Sequence, residues 1–280
     1  MVNLTSFNLF DTPQVLMDQL LDFFESPPRL RKVHLSFDTQ FFDAQNGRLV
    51  SLPCLENMWI DGHSCSTLLG HLSIPVGACL GLVGDLPAIE HHPPRFFDNL
   101  RNLPNSTKIN LIEGMPYSHI DFSGPNGEVK LCITHSDRAF SVLKSLAQFN
   151  TSTAELLRIC GTNPPSSVPP YRALLPMKDL LTLDLRRCSN PQVFIHALDP
   201  SVGPSGVMVC QKLEKLVIEH TETLDIKDIV GMATARASRG KKLKSVTITY
   251  CDGSAYAQPD VLELKKLVSH VQVGHRWIQR

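Results

Sequence analysis

A six-residue pattern of apolar positions recurs along this chain. A leucine is followed, three and five positions later, by two more apolar residues, and mostly polar residues fill the positions between them. Such alternation predicts a short strand with one buried and one exposed face. We expect the leading leucine to enter the core as the chain turns into the strand. Clear copies begin at Leu30, Leu55, Leu180, Leu213 and Leu243.

The copies recur at a roughly constant period. Their starts are 25 residues apart near the N-terminus, and 33 and then 30 residues apart near the C-terminus. Looser copies lie at 107–111 and 155–160. Two of the clear copies continue to Cys188 and Cys251, which we expect to close the turn after the strand. Self-similarity at this period is typical of repeat architectures.

Helical patterns fill several of the intervals. Apolar residues recur there at helical spacing, and the flanking prolines and aspartates are typical of helix ends. We predict helices between Thr12 and Pro27, from Ser136 to Phe149, from Asp225 to Gly240 and from Gln258 to Val268.

Alternating strands and helices at this period predict the α/β class, arranged as a leucine-rich-repeat-like solenoid. Its curved parallel sheet would line the concave side and its helices the outside, because each repeat buries its apolar face only against its neighbours. The alternative is a doubly wound α/β domain. The recurrence of the pattern favours the solenoid, and so does the lack of the long apolar strands that a sheet buried on both faces requires.

We expect a single repeat domain over 1–280, or two halves. Irregular repeats occupy 1–161 and include a β-hairpin at about 120–133, around a Gly-Pro-Asn-Gly turn. A Pro/Ser-rich connection at 162–171 leads to the more regular repeats of 172–280.

Composition excludes several classes of function. Lys+Arg and Asp+Glu are both 27, so the basic excess of a nucleic-acid-binding protein is missing. The eight cysteines contain no C-x-x-C pair, which argues against a metal site and fits reduced thiols; we expect no cofactor. We see no signal peptide and no membrane-spanning run, and therefore expect a soluble protein of the cytoplasm or nucleus that binds no membrane.

One stretch resembles the nucleophile elbow of a hydrolase. Residues 62–66, Gly-His-Ser-Cys-Ser, stand between a predicted strand and a helix-like segment. Ser66 occupies the position where that turn needs glycine or alanine, and the strand before it is itself a copy of the repeat pattern. We therefore expect no enzyme and no catalytic residue. The alternative is an α/β hydrolase with Ser64 as its nucleophile.

Alignment of the clear copies places the polar positions of the strands in three rows. On a solenoid these rows would lie on the concave face, where such proteins bind partners. Aromatic and arginine side chains dominate binding hot spots. The alternatives are a merely solvated face or, for Trp59, a core position after a one-residue shift in register. The predicted protein-binding residues are His34, Trp59, Asp61, Asp184, Arg186, Lys215, Glu219, Thr247 and Thr249.

Several of these segments resemble the C-terminal regions of fungal, mainly mushroom-type, F-box proteins. Residues 20–35, LLDFFESPPRLRKVHL, and 46–58, NGRLVSLPCLENM, are similar to their "LLxFFExxPxLRKVxLxF" and "NGRLVSLxCLxxMxI" segments. Residues 72–80 and the strand LKSVTITYC at 243–251 are similar too. The likeness runs along much of the chain, and core positions carry it.

The resemblance implies a substrate-recognition part of a cullin–RING ubiquitin ligase. The expected partner is a protein, such as a ubiquitination substrate. Members of this family dock a Skp-type adaptor through an N-terminal F-box. No F-box motif precedes the first repeat here, so we expect adaptor binding only if an F-box exists outside this chain.

Overall fold

The computed structural model of the chain consists of two compact units. The first unit comprises Met1–Ser106 and Met115–Ala139, and the second comprises Thr107–Gly114 and Phe140–Arg280. The residues that the structure describes are 4–10, 16–27, 29–37, 48–62, 65–75, 77–84, 106–112, 118–125, 127–133, 151–161, 171, 174–201, 208–221, 224–250 and 258–275.

The described part of the first unit contains a mostly parallel sheet and two helices. Its strands are β1 Ser6–Leu9, β2 Lys32–Phe37, β3 Val50–Ser51, β4 Asn57–Gly62, β5 Leu72–Ser73, β6 Cys79–Gly84, β8 Ser118–Gly124 and β9 Gly127–Ile133. Its helices are α1 Met17–Glu25 and α2 Cys65–Gly70. The strand order is β1-β2-β4-β6-β9-β8, and β3 pairs separately with β5. The pair β8–β9 is antiparallel and forms the hairpin predicted at about 120–133.

The second unit contains a wholly parallel set of strands in its described part. They are β7 Lys108–Ile112, β10 Leu156–Cys160, β11 Thr182–Arg186, β12 Lys215–Thr221, β13 Ser245–Tyr250 and β14 His270–His275, and their spatial order is the chain order. A 3₁₀ helix spans Thr151–Thr153, and the α-helices are α3 Gln192–Leu198, α4 Ile226–Ser238 and α5 Gln258–Leu267. Helix α4 packs against both α3 and α5. The chain is therefore an α/β protein with mostly parallel sheets.

The same backbone hydrogen bonds recur before successive strands. The carbonyl of Thr5 accepts from the amides of Arg31 at 2.9 Å and Lys32 at 3.0 Å, and the carbonyl of Arg31 accepts from those of Glu56 and Asn57. A carbonyl that accepts from two consecutive amides fixes the register of the next parallel strand, so that equivalent positions of the two repeats lie side by side. In the second unit the carbonyls that bridge in this way are those of Thr107, Glu155, Leu181 and Glu214.

The apolar positions of the repeat pattern form the core. The leading leucines of all five clear copies are buried, as are the two apolar residues that follow each of them. After β11, the Cys188 thiol donates to the carbonyls of Ile159 at 3.7 Å and Arg186 at 3.6 Å. This cysteine closes the turn as expected, whereas Cys251 lies outside the described residues.

Five of the described strands were not predicted, namely β1, β3, β5, β6 and β14. The short strands β3 and β5 lie outside the repeat pattern, whereas the other three follow it in full or in a relaxed form. Strand β1 follows the full pattern from Leu4, β14 follows it with Val268 in the leading position, and β6 follows it with Gly77 there. Val268 is buried, as the leading leucines are. The leading position thus accepts valine in the core, or glycine at an exposed turn.

The predicted helices from Asp225 and Gln258 are present as α4 and α5, and the Asp225 carboxylate caps α4 by accepting from the amide of Lys227 at 2.9 Å. Helix α1 begins at Met17, later than the predicted start. The predicted helix at 136–149 lies outside the described residues, as does the Pro/Ser-rich connection apart from Tyr171.

Arg236 is a fully buried cation in the last turn of α4. Its Nη1 donates to the carbonyls of Val209 at 3.0 Å and Leu198 at 3.4 Å, and its Nη2 donates to that of Cys210 at 2.8 Å. Burial lowers the pKa of Arg236 from its ordinary value, and burial raises the pKa of the Cys210 thiol to about 12. The guanidinium therefore ties α4 to the end of α3 and to the segment before β12.

Replacing this guanidinium is expected to destabilise the protein. Arg236→Met leaves the three carbonyls without their donor in a buried site, and each hydrogen bond to a charged group contributes about 1.5–3 kcal/mol. We expect the free energy of unfolding to fall by about 3 kcal/mol, measured by denaturant unfolding. The matched control is Lys242→Met at an exposed position, which should change it by less than about 0.5 kcal/mol. Equal effects of the two variants would contradict this role of Arg236.

Candidate functional site

The polar positions of the strands align in rows across the first unit. Along β2 and β4, Lys32 pairs with Asn57, His34 with Trp59, and Ser36 with Asp61. These are the pairs that the repeat alignment predicts. Strand β6 extends all three rows, with Cys79 next to Asn57, Gly81 next to Trp59 and Val83 next to Asp61. We call this exposed side of the first sheet the polar face.

Trp59 lies on the polar face and not in the core. Its neighbours Met58 and Ile60 are buried, whereas 39% of Trp59 is exposed. The indole lies over Gly81, where an added Cβ would stand only 2.0 Å from its Cε3. The alternative of a core position for Trp59 is therefore wrong, and a glycine on the neighbouring strand is what lets the ring lie against the sheet.

Two further aromatic rings continue the row. His34 packs edge-to-face against Trp59, with ring centroids 6.3 Å apart, and Phe10 packs edge-to-face against His34 at 4.7 Å. Phe10 is 52% exposed. Offset and edge-to-face aromatic pairs are individually favourable. The three rings form a continuous aromatic row, which we define as Phe10, His34 and Trp59.

A groove of about 520 Å³ lies beside this row. Its lining crosses β1, β2, β4, β6 and β9. The ionisable ends of Lys130 and Glu128 are 3.7 Å apart and both exposed, whereas Lys32 has no ion pair within the described part of the chain. The polar and aromatic side chains that line the groove are Ser6, Asn8, Lys32, His34, Asn57, Trp59, Cys79, Glu128 and Lys130.

In the second unit, ion pairs occupy polar strand positions that correspond to two of the rows of the first unit. Asp184 is 3% exposed and accepts from Arg158 Nε at 2.8 Å and from Arg186 Nε at 2.9 Å. Arg186 also approaches Glu219 at 3.3 Å. The hydrogen bond with Asp184 is the main cause that raises the pKa of Arg186 above its ordinary value. These four residues, Arg158, Asp184, Arg186 and Glu219, form a charge ladder across β10, β11 and β12.

The predicted binding residues therefore fall into two groups. His34 and Trp59 share one groove, with Asp61 two positions beyond Trp59 on β4. In the second unit Asp184, Arg186 and Glu219 pair with one another, so much of their charge is compensated within the protein. The remaining three are exposed or half-buried neighbours on β12 and β13, namely Lys215, Thr247 and Thr249.

Four residues of these sites were not singled out from the sequence. Gly81 and Lys130 lie in the row of Trp59, Phe10 lies at its end, and Arg158 completes the charge ladder. Arg158 stands at a polar position of the looser copy at 155–160, so a register alignment that included this copy would have found it. Gly81 has no side chain that could have marked it as part of a binding site.

Within the described ranges, no group of three or more His, Cys, Asp or Glu residues could hold a metal ion. Ser64, the nucleophile of the hydrolase alternative, lies outside the described residues. In the same described part, no helix is long and apolar enough to cross a membrane.

Comparisons with known proteins add no family. Neither a protein-family model, nor a curated protein, nor a solved structure matches the chain. The resemblance to fungal F-box proteins stays an expectation that depends on the residues quoted for it.

The contact between Trp59 and Gly81 can be tested by a double-mutant cycle. Gly81→Ala alone should destabilise the protein, because the new Cβ displaces the indole. In a Trp59→Ala background the same change should be neutral or slightly stabilising, because alanine restricts the unfolded chain more than glycine. We expect a coupling free energy of about 1–2 kcal/mol from denaturant unfolding. Additive effects would show that the ring does not lie against residue 81.

The charge ladder can be tested by removing its buried acid. Asp184→Asn removes the carboxylate that pairs with Arg158 and leaves Arg186 with Glu219. Because both guanidinium groups are more than a third exposed, we expect the free energy of unfolding to fall by about 1.5–3 kcal/mol, the range for a hydrogen bond to a charged group. The control is Asp179→Asn, which removes the exposed partner of Lys212 and should cost less than about 1 kcal/mol. Denaturant unfolding at neutral pH measures both. A loss for Asp184→Asn no larger than that of the control would contradict a structural role of the ladder.

Proposed function

We propose that this chain is a non-enzymatic protein-interaction module that binds a protein partner through the polar face of its first unit. The observation that carries the proposal is the half-exposed Trp59, which lies in an aromatic row beside a groove. Tryptophan is among the residues most enriched at binding hot spots. The ring already lies against the sheet in the free protein, so binding does not have to order it.

We also propose a leucine-rich-repeat-like solenoid as the architecture. The repeated bridging carbonyls support it, and so does the strand order of the second unit, which follows the chain order throughout its described part. A doubly wound sheet instead reverses its strand order at a switch point. Consecutive helices α3, α4 and α5 pack side by side, as the outer elements of stacked repeats would.

Within this class, the resemblance to fungal F-box proteins supports a more specific role. The chain would be the substrate-recognition part of an F-box-type ubiquitin-ligase subunit, active in the cytoplasm or nucleus. Its partner would then be a ubiquitination substrate, and a Skp-type adaptor would bind only through an F-box outside this chain.

Proximity labelling in the native cell tests the binding role of the polar face. Partners labelled by the wild-type protein should be lost from Trp59→Ala, because the anchor of the groove is gone. They should be retained by Leu262→Ala, which removes another exposed apolar side chain on α5. Circular dichroism should show that both variants are folded. An unchanged set of partners for Trp59→Ala would contradict the proposal.

A further inference from the structure

We propose that the groove beside Trp59 accepts an extended acidic segment of the partner protein, with an aromatic side chain that stacks on the indole. This inference rests on the proposed function and names the chemistry of the partner. It follows from the accessible ring face, the charges of the lining and the length of the groove.

The exposed face of the Trp59 indole favours contact with an aromatic side chain of the partner. One face of the ring lies against the backbone at Gly81, and the ring still has 39% of its surface exposed. An aromatic side chain can stack there in an offset or edge-to-face arrangement, with a gain of about 0.5–1.5 kcal/mol beyond the area it buries. A cationic side chain could also bind an indole, but Lys32, which has no ion pair within the described residues, lines the same groove and repels it.

The charge of the lining favours an acidic segment. Glu128 offsets Lys130, because their charged ends are 3.7 Å apart. Lys32 is exposed and has no acidic partner among the described residues, so one positive charge in the groove stays uncompensated. A carboxylate of the partner next to the stacked ring would supply the missing negative charge. Complementary charge of this kind mainly sets the choice of partner and the rate of association.

The length of the groove and the asparagine side chains that line it favour an extended peptide. Its lining crosses five neighbouring strands, which at about 4.8 Å per strand spacing gives roughly 19 Å. An extended chain of about six residues covers that length at roughly 3.3 Å per residue. The exposed side-chain amides of Asn8 and Asn57 make no hydrogen bond within the described part of the chain, and they can therefore bond to the backbone of such a segment.

Tryptophan fluorescence offers a direct test with defined peptides. The chain has two tryptophans, so a Trp277→Phe background leaves Trp59 as the single reporter. The probe is a capped hexapeptide, Ser-Asp-Phe-Glu-Ser-Gly. One matched peptide carries lysine in place of both acids, and a second carries alanine in place of phenylalanine. We expect the acidic aromatic peptide to change the emission of Trp59 saturably, and each matched peptide to bind at least tenfold more weakly.

Two variants assign the contacts. Lys32→Glu should weaken binding of the acidic peptide at least tenfold and improve that of the lysine peptide, whereas Lys241→Glu, at an exposed position of the second unit, should change neither. Gly81→Ala should also weaken binding, because it displaces the indole. These variants alter exposed or polar-face positions, and denaturant unfolding confirms that each is folded before titration.

The outcomes separate this inference from the proposed function. Equal or tighter binding of the lysine peptide would overturn the acidic partner. No binding of any peptide, together with loss of the labelled partners in Trp59→Ala, would overturn the extended segment and leave the interaction module standing. Self-association that Trp59→Ala abolishes would identify a second copy of the chain as the occupant and overturn the inference. Labelling that is unchanged in Trp59→Ala would overturn the proposed function itself.

Discussion

One backbone carbonyl before each of several strands organises both sheets. It accepts hydrogen bonds from the two consecutive amides at the start of the next strand. This pair of bonds fixes the register of the two neighbouring strands. A slip of one residue would turn every buried side chain outward, so this pair of bonds also decides which residues form the core. Leu30, Leu180 and Leu213 lie just before such a carbonyl, and their burial fixes the turn in the interior. The aligned rows of polar side chains are a consequence of this repeated junction.

Equivalent strand positions carry partly exposed aromatic side chains in the first unit and paired charges in the second. On the first unit the row through Trp59 is aromatic and half-exposed, and Gly81 makes room for the ring. On the second unit the row contains Asp184, which two guanidinium groups enclose. Burying a carboxylate is costly unless it is paired and hydrogen-bonded. Here Arg158 on the adjacent strand and Arg186 on the same strand provide the pairing. The same scaffold therefore presents an open groove in one unit and a self-compensated charge cluster in the other.

Alternation and period predicted most of the strands, because both are local properties of the chain. The clear copies became β2, β4, β11, β12 and β13, and the looser copies became β7 and β10. Strands β6 and β14 depart from the strict pattern because glycine and valine replace the leading leucine, whereas β1 keeps the full pattern from Leu4. The buried Arg236 was also missed, since a charged residue near a helix end looks solvent-exposed until the segments that supply its carbonyls are in place.

The sequence by itself determined most of the strands, the inward and outward sides of these strands, and the pairing of the rows between neighbouring clear copies. These follow from a period of two within a strand and from one pattern shared by all repeats. Only the tertiary structure decided which outward side chains are available for binding. Arg158 and Asp184 are 26 positions apart in the chain, and Gly81 acts on Trp59 from a separate strand. The exposure and charge of a row depend on neighbours across the sheet, which the sequence of one strand does not specify.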